Sequence, residues 1–241
     1  MNWIKPDWPL PAHIHAAVTL RSGGVSTGAY ASLNPATHVN DDAGHVLANR
    51  QIIRDMLKLP AEPVWLQQVH GVNVIKADTS CGLVQADASY TDQAGVVCAV
   101  LTADCLPLLL CGDQGKVIAT AHAGWRGLQA GVIQQTLQSM KCSHVQVWLG
   151  PAIGPEHFEV GADVRDAFLE TLSGAHTAFR DTHGGKWLAD IYQLARIILS
   201  AHGITDIYGG DRCTVADPLS FYSYRRDGAQ TGRMASLIWR D

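Results

Sequence analysis

Apolar and polar positions alternate along this chain in short runs, and the period of each run predicts an element. His13 to Leu20 alternates as a strand does, and Ser22-Gly23-Gly24 ends it. Asp41 and Asp42 offer N-caps to a helix from Gly44 to Leu59, which Pro60 stops. Short β-type runs follow at Val64 to Val69, Val72 to Ala77, Gly95 to Leu101, Leu106 to Cys111 and Lys116 to Ala121. Between Gly127 and Met140, the spacing of Leu128, Val132, Leu137 and Met140 puts one buried face on a helix. Val145 to Leu149 is a strand ending at Gly150-Pro151, and helices are predicted over Asp163 to Leu172 and Leu188 to His202, closed by Gly174 and Gly203. A last strand covers Met234 to Trp239. Strands come in groups with few intervening helices, which predicts an α+β fold with mixed sheets and not a regular βαβ winding. No repeat, low-complexity tract or linker interrupts the chain, so residues 1–241 are expected to form one domain.

The longest apolar stretch, Ala94 to Cys111, contains Asp104 and Pro107. Both are costly inside a membrane, so it is expected to be two buried strands joined by a polar turn. Charged residues make up only 17% of the chain against 47% hydrophobic, the balance of a protein with a large core and not of a disordered one. A formal charge of −4 leaves no excess of Lys and Arg to displace counterions from a polyanion, so no nucleic-acid partner is expected. The first residues lack the apolar segment of a secretory signal. A cytoplasmic protein without a membrane partner, its six cysteines reduced, is therefore expected.

The chemistry concentrates at strand ends. His70 closes Gln67-Gln68-Val69-His70-Gly71, Cys105 follows Thr102-Ala103-Asp104, and His122 opens Ala123-Gly124-Trp125-Arg126-Gly127. Two imidazoles and a thiolate suit zinc, and three protein ligands leave a fourth position for water or substrate. The three residues are 35 and 17 apart, without the short-range signature of common metal motifs, and a cysteine in an apolar run is also an ordinary small hydrophobe. Spacing alone leaves both readings open.

Other groups are weaker. Gly24-Val25-Ser26-Thr27-Gly28 matches the G-x-S-x-G nucleophile elbow, but Ala29 to Pro35 cannot supply the helix an elbow requires, so a glycine-rich loop is expected. His13-Ile14-His15 is a copper-type His-x-His pair, placed by alternation on one face of an edge strand, or simply two surface histidines. Arg21, Arg126, Arg225 and Arg226 stand beside glycine-rich backbone, at a helix start or after an aromatic run, where a guanidinium suits phosphate or forms a surface ion pair. Asp104 is a candidate to orient a metal-bound histidine, to transfer protons or to cap its turn.

Several segments together carry a resemblance: Arg21 to Ser26, Leu33-Asn34, Gln68-Val69-His70-Gly71, Ala86-Asp87-Ala88, Thr102 to Pro107, His122 to Gly127, Gly150 to Pro155, Ser223-Tyr224-Arg225-Arg226 and Thr231-Gly232-Arg233. In this order they resemble the YfiH-type laccase-domain family, also called polyphenol oxidase-like or peptidoglycan-editing-factor proteins. The likeness runs from about residue 17 to the C-terminus. It implies a single-domain α/β/β/α sandwich related to the catalytic domain of cytotoxic necrotizing factor toxins. It also implies a zinc site on His70, Cys105 and His122. One departure is Glu156-His157, where many members carry cysteine.

The resemblance implies activities of several kinds: phosphorolysis of adenosine, inosine, guanosine or methylthioadenosine, deamination of adenosine, copper-dependent phenol oxidation, and a role in peptidoglycan editing. A multicopper oxidase needs several His-x-His pairs, and this chain has one. The expectation is therefore a zinc-dependent purine nucleoside enzyme, with copper as a possible substitute metal. Cys105, Asp104 and Arg126 would be catalytic, and Arg21, Arg225 and Arg226 would hold phosphate. The alternatives are a cysteine-type hydrolase acting on peptidoglycan precursors, with Cys105 as nucleophile, a phenol oxidase, or a metal-stapled binding protein. The expected partner is a small molecule, and the expected state a monomer or weak homodimer.

Overall fold

A computed structural model describes residues 3–79, 82–182 and 184–241. Two sheets lie face to face with helices outside them. The first has four strands, in the order Trp3–Ile4, Ile14–Thr19, Met234–Arg240, Val97–Thr102, all antiparallel. The second has six, in the order Ile207–Gly209, Val145–Leu149, Leu106–Gly112, Val117–Ala123, Ala88–Thr91, Val74–Lys76, and is parallel only at its two edges. A three-stranded sheet of Glu159–Gly161, Lys186–Ala189 and Phe179–Asp181 flanks them.

Strand alternation assigns each buried side chain to a layer. Along Leu106–Gly112, Leu106, Leu108 and Leu110 join one cluster with Val132, Ile133, Leu194 and Ile198 of the helices outside. Leu109 and Cys111 point the other way, toward Ile14, Val18, Cys98 and Ile238 of the four-stranded sheet. That sheet's opposite face, with Ala17, Ala99, Leu101, Ala235 and Leu237, packs on Ile53 and Leu57 of the helix Ala43–Leu57 (α1). The order helix, sheet, sheet, helix is the four-layered sandwich, and it explains why Leu106–Gly112 is apolar at every position: both faces are covered. Each of these leucines contributes about 1.5–3 kcal/mol by its burial.

Several elements depart from their predicted limits. The helix predicted from Gly127 to Met140 is two, Trp125–Ala130 (α2) and Val132–Met140 (α3), because Gly131 takes φ 103° and ends the first. The helix predicted from Leu188 begins at Ile191 (Ile191–Ala201): Leu188 is in a strand, and the Asp190 side chain accepts from the Gln193 N–H as N-cap. Ile14–Thr19 is not an edge strand, since it pairs on both sides. His15 on it stacks on Trp239 and bonds Asp241, so its ring is a surface partner and not half of a copper pair. The Gly24–Gly28 segment is a packed loop: Ser26 Oγ donates to Asp41 and accepts from Asn49, which leaves no free serine nucleophile. Among the described residues Cys98, Cys105, Cys111, Cys142 and Cys213 are free thiols, and Cys81 lies outside the described residues. No helix there is long and apolar enough to cross a membrane.

Candidate metal centre

The site lies at one end of the sandwich, where the chain crosses between the two main sheets. Cys105 sits in the turn joining Val97–Thr102 of the four-stranded sheet to Leu106–Gly112 of the six-stranded one. The neighbouring strand Val117–Ala123 supplies His122, paired with Pro107. His70 follows the short strand Leu66–Gln67, held by Gln68, whose amide both donates to and accepts from the backbone of Leu101. The side chain of Gln68 thus mimics a strand partner and docks the His70 turn on the sheet.

His70, Cys105 and His122 present ligand atoms that all lie within 4.8 Å of one another. Cys105 Sγ is 3.7 Å from His70 Nε2. A tetrahedral zinc with ordinary bond lengths sets a sulfur and a nitrogen about 3.6 Å apart, close to the separation of Cys105 and His70, so the donor chemistry and this pair suit such an ion. The two imidazole rings stand edge to face, their centroids 4.7 Å apart and planes at 81°. His122 is buried, Cys105 half-buried and His70 exposed, which opens the cluster on one side.

The group that organises this cluster is Asp87. Its carboxylate accepts from His122 Nδ1 at 2.8 Å and from the backbone N–H of Val69, His70 and Gly71. Holding Nδ1 leaves His122 Nε2 for Cys105 or a metal, the usual carboxylate–histidine arrangement around zinc. The same carboxylate fixes the His70 turn, whose backbone is left-handed at φ 60°. Burial pushes the Asp87 pKa up, but His122 and the Gly71 and Val69 N–H donors outweigh it and hold the group ionised below its ordinary value. Sequence reasoning did not single out Asp87 as a site residue. Its signal was its place in Ala86-Asp87-Ala88, an acid between alanines at the head of a buried strand.

In the metal-free cluster, burial raises the Cys105 pKa, but the His122 and His70 imidazoles more than compensate and bring it down to about 6. Burial lowers that of His122, while the Cys105 thiolate and Asp87 raise it to about 9. The pair is a thiolate and an imidazolium near neutral pH.

Asp104 lines the cavity beside the cluster. Its buried carboxylate accepts from Thr214 Oγ1, Ser223 Oγ and the Arg225 N–H, which ties two distant segments to the Cys105 turn. It orients neither histidine. Nor do the arginines behave alike. Arg21 lies on the Tyr222 ring and donates to the carbonyls of Ala31 and Pro218. Arg226 donates to the carbonyls of Thr214, Val215 and Phe221 and to Asp227, so its fork is saturated. Neither lines the cavity over the cluster, whereas Arg126 and Arg225 do. Arg225 bonds the carbonyls of His157 and Glu159, and Arg126 lies over the Trp125 ring. His157, at the departure noted above, faces Cys213 at 3.5 Å, apart from the metal cluster.

The cavity encloses about 450 Å³, within the range of small-molecule sites. Besides the cluster its walls include the apolar Trp125, Ile153, Phe158 and Ile191 and the polar His38, Thr102 and Arg233. Gly124 abuts the cluster closely: a Cβ there would come 2.9 Å from Cys105 Sγ and 2.9 Å from His70 Cδ2. Gly124→Ala is therefore expected to lower metal affinity by about 10-fold or more while the fold persists, as metal titration followed with circular dichroism would show. Unchanged affinity would mean that the cluster relaxes freely.

A half-open site of two histidines and one cysteine, set at the crossover of a four-layered mixed sandwich, defines the class of protein. Residues 15–241 match the family model described as multi-copper polyphenol oxidoreductase laccase, and the chain belongs to this family. A purine nucleoside phosphorylase of Pseudomonas aeruginosa is 51% identical over 240 residues, covering 98% of each chain. The purine nucleoside phosphorylase YfiH of Escherichia coli is 50% identical over 239 residues, again 98% of each. Among solved structures, a Neisseria meningitidis protein superposes with a TM-score of 0.96 at 50% identity over the whole of both chains. YlmD of Geobacillus stearothermophilus gives 0.91 at 33% identity over 100% of this chain and 96% of that one.

Proposed function

We propose that the protein is a zinc-dependent purine nucleoside phosphorylase that also deaminates adenosine. The observation that carries this reading is the open three-ligand cluster at the base of a cavity of about 450 Å³, in a chain half identical to proteins named for that activity. The apolar wall of Trp125, Ile153, Phe158 and Ile191 suits a flat purine. In phosphorolysis a phosphate oxygen bonds to C1′ of the ribose, the C1′–N9 bond breaks, and the purine leaves with its electron pair and takes up a proton. In deamination water adds to C6 of adenine and ammonia leaves. A zinc ion held by His70, Cys105 and His122 would supply Lewis acidity and lower the pKa of water bound to it. Asp87 keeps His122 in the ligating tautomer, and the cavity walls limit water around the reacting bond. Adenosine, inosine, guanosine and methylthioadenosine are the substrates proposed.

Phenol oxidation fits less well. Reduction of oxygen by four electrons needs several copper centres, and the described residues assemble one ligand cluster, with His15 engaged by Asp241. The thiolate–imidazolium pair of the metal-free cluster favours a second reading, in which Cys105 is the nucleophile of a hydrolase acting on a peptidoglycan precursor.

One experiment separates the readings: protein treated with a strong chelator, then resupplied with zinc, is incubated with inosine with and without phosphate. Ribose 1-phosphate is expected only with phosphate and only in the zinc-loaded sample. Turnover that survives chelation would exclude the metal reading and leave Cys105 as nucleophile.

A further inference from the structure

A phosphorolytic site needs a place for the phosphate dianion, and of the three arginines that line the cavity Arg225 has both terminal nitrogens on protein carbonyls and Arg126 lies over the Trp125 ring. Arg233 is different. It lines the cavity just before the strand Met234–Arg240, and its Nη1 donates to the carbonyls of Thr231 and Gly232. Those two bonds pin the side chain from one edge. Its Nε and Nη2 donate to no acceptor, and no carboxylate pairs with it, among the described residues. A guanidinium placed in a cavity wall without a counter-ion is costly unless an anion joins it. Burial lowers its pKa, and the charges of Cys105, Asp104, Tyr224 and Tyr30 oppose that.

Two neighbours share the wall. Met234 pairs with Thr102 across the sheet, which brings the backbone of Thr102 next to that of Arg233. Thr102 also lines the cavity, is 2% exposed, and its Oγ1 is buried with no hydrogen-bond partner. An orphan hydroxyl of that kind is uncommon and calls for a ligand. His38, on the loop before α1, lines the same cavity. Partial burial, and after it Arg233, His122 and Arg50, hold its imidazole below the ordinary pKa, so it is a neutral ring with one N–H to offer.

We propose that Arg233, Thr102 and His38 form a phosphate subsite of the metal-centre cavity, Arg233 presenting its free edge to two phosphate oxygens. The proposal rests on the phosphorolysis reading for its substrate, and it replaces Arg21 and Arg226, which do not line the cavity. The guanidinium fork matches a tetrahedral oxyanion, and a hydroxyl and a neutral imidazole complete it with hydrogen bonds without adding a charge. The same chemistry would hold the phosphoester of a nucleoside monophosphate.

The test is made on zinc-loaded protein with Arg233→Gln, Arg233→Lys and His38→Ala. Arg233→Gln is expected to raise the KM for inorganic phosphate by about 10–100-fold, with the inosine KM changed by less than about threefold and bound zinc unchanged. Arg233→Lys, which keeps the charge but loses the fork, should fall between. His38 is solvent-facing, so His38→Ala keeps the question open to test if Arg233→Gln fails to fold, and it should raise the phosphate KM by about threefold to tenfold. Calorimetric titration of each protein with inorganic phosphate and, separately, with adenosine 5′-monophosphate gives a readout without turnover. Arg233-dependent binding of free phosphate supports the subsite as the place of a cosubstrate. Dependence seen only with the monophosphate supports it as a phosphoester site. An unchanged phosphate KM in folded Arg233→Gln and His38→Ala, with phosphate binding that ignores both substitutions, overturns it. If wild type binds phosphate through Arg233 yet forms no ribose 1-phosphate, the subsite stands and the phosphorolysis reading fails.

Discussion

Cys105→Ala is expected to leave the protein folded, metal-free and at least about a thousandfold less active in phosphorolysis. The size follows from the role: two histidines alone are a poor zinc site, and the several kcal/mol that a Lewis acid contributes to the transition state go with the metal. The fold should survive because Cys105 is half-buried in a turn at the cavity, not packed in any of the core clusters. Metal analysis, phosphorolysis and near-UV circular dichroism on the same preparation would check all three. Retained turnover in the alanine variant would sink both the metal and the cysteine-nucleophile readings. The metal-free wild type offers a companion measurement. A thiol whose pKa is lowered to about 6 is a thiolate above that pH and a thiol below it, so alkylation of Cys105 by iodoacetamide should rise through a midpoint near 6 and level off. Cys98, Cys111 and Cys142, which burial pushes upward, should react far more slowly at pH 7. Zinc should protect Cys105.

Asp87→Asn is expected to weaken metal binding by about 10–100-fold and to destabilise the protein by about 2–4 kcal/mol. The carboxylate uses both oxygens: Oδ1 accepts from His122 Nδ1 and the His70 N–H, and Oδ2 from the Val69 and Gly71 N–H groups. An amide keeps one acceptor and turns the other into a donor, so whichever way it faces, one pair of buried donors meets an N–H₂. The His122 ring is then free to adopt the wrong tautomer, and the left-handed His70 turn loses its anchor. Zinc titration monitored by competition with a chromophoric chelator would measure the first effect and thermal unfolding the second, a fall of about 4–16 °C. Because Asp87 is held ionised below its ordinary value, its contribution in the wild type is present above the unfolded carboxylate range and is lost as pH falls through the lower folded value. The asparagine variant should therefore lose part of the wild type's acid sensitivity. Zinc affinity equal to wild type would refute the positioning role.

The expectations that failed did so for identifiable reasons. Asp104 and Asp87 are both acids near apolar strands, and nothing in their local sequence says which one faces a histidine. Asp104 is claimed by Thr214, Ser223 and Arg225, more than a hundred residues away, and Asp87 by His122. Arginine roles were equally illegible, since a guanidinium donates to whatever the fold brings near. The carbonyls of Pro218 and Thr214 engage Arg21 and Arg226, while Arg233 and Arg126 keep open edges on the cavity.

What the sequence by itself determined is local or patterned. Alternation and 3.6-residue spacing located most strands and α1, with Asp42 capping it as its side chain predicts. The unbroken apolar run around Leu106 to Cys111 announced a strand buried on both faces, and the motif order identified the family and pointed to His70, Cys105 and His122 as a candidate metal site. Tertiary structure alone decided what depends on pairing across the sandwich. It broke one helix at Gly131 and began the helix Ile191–Ala201 late, behind the strand that holds Leu188. It also brought His70, Cys105 and His122 within 4.8 Å and chose Asp87 to hold them. The physical reason is the range of the interactions: propensity and periodicity act within a few residues, whereas a buried carboxylate, a metal cluster or an anion subsite is satisfied only by partners the fold carries in from elsewhere.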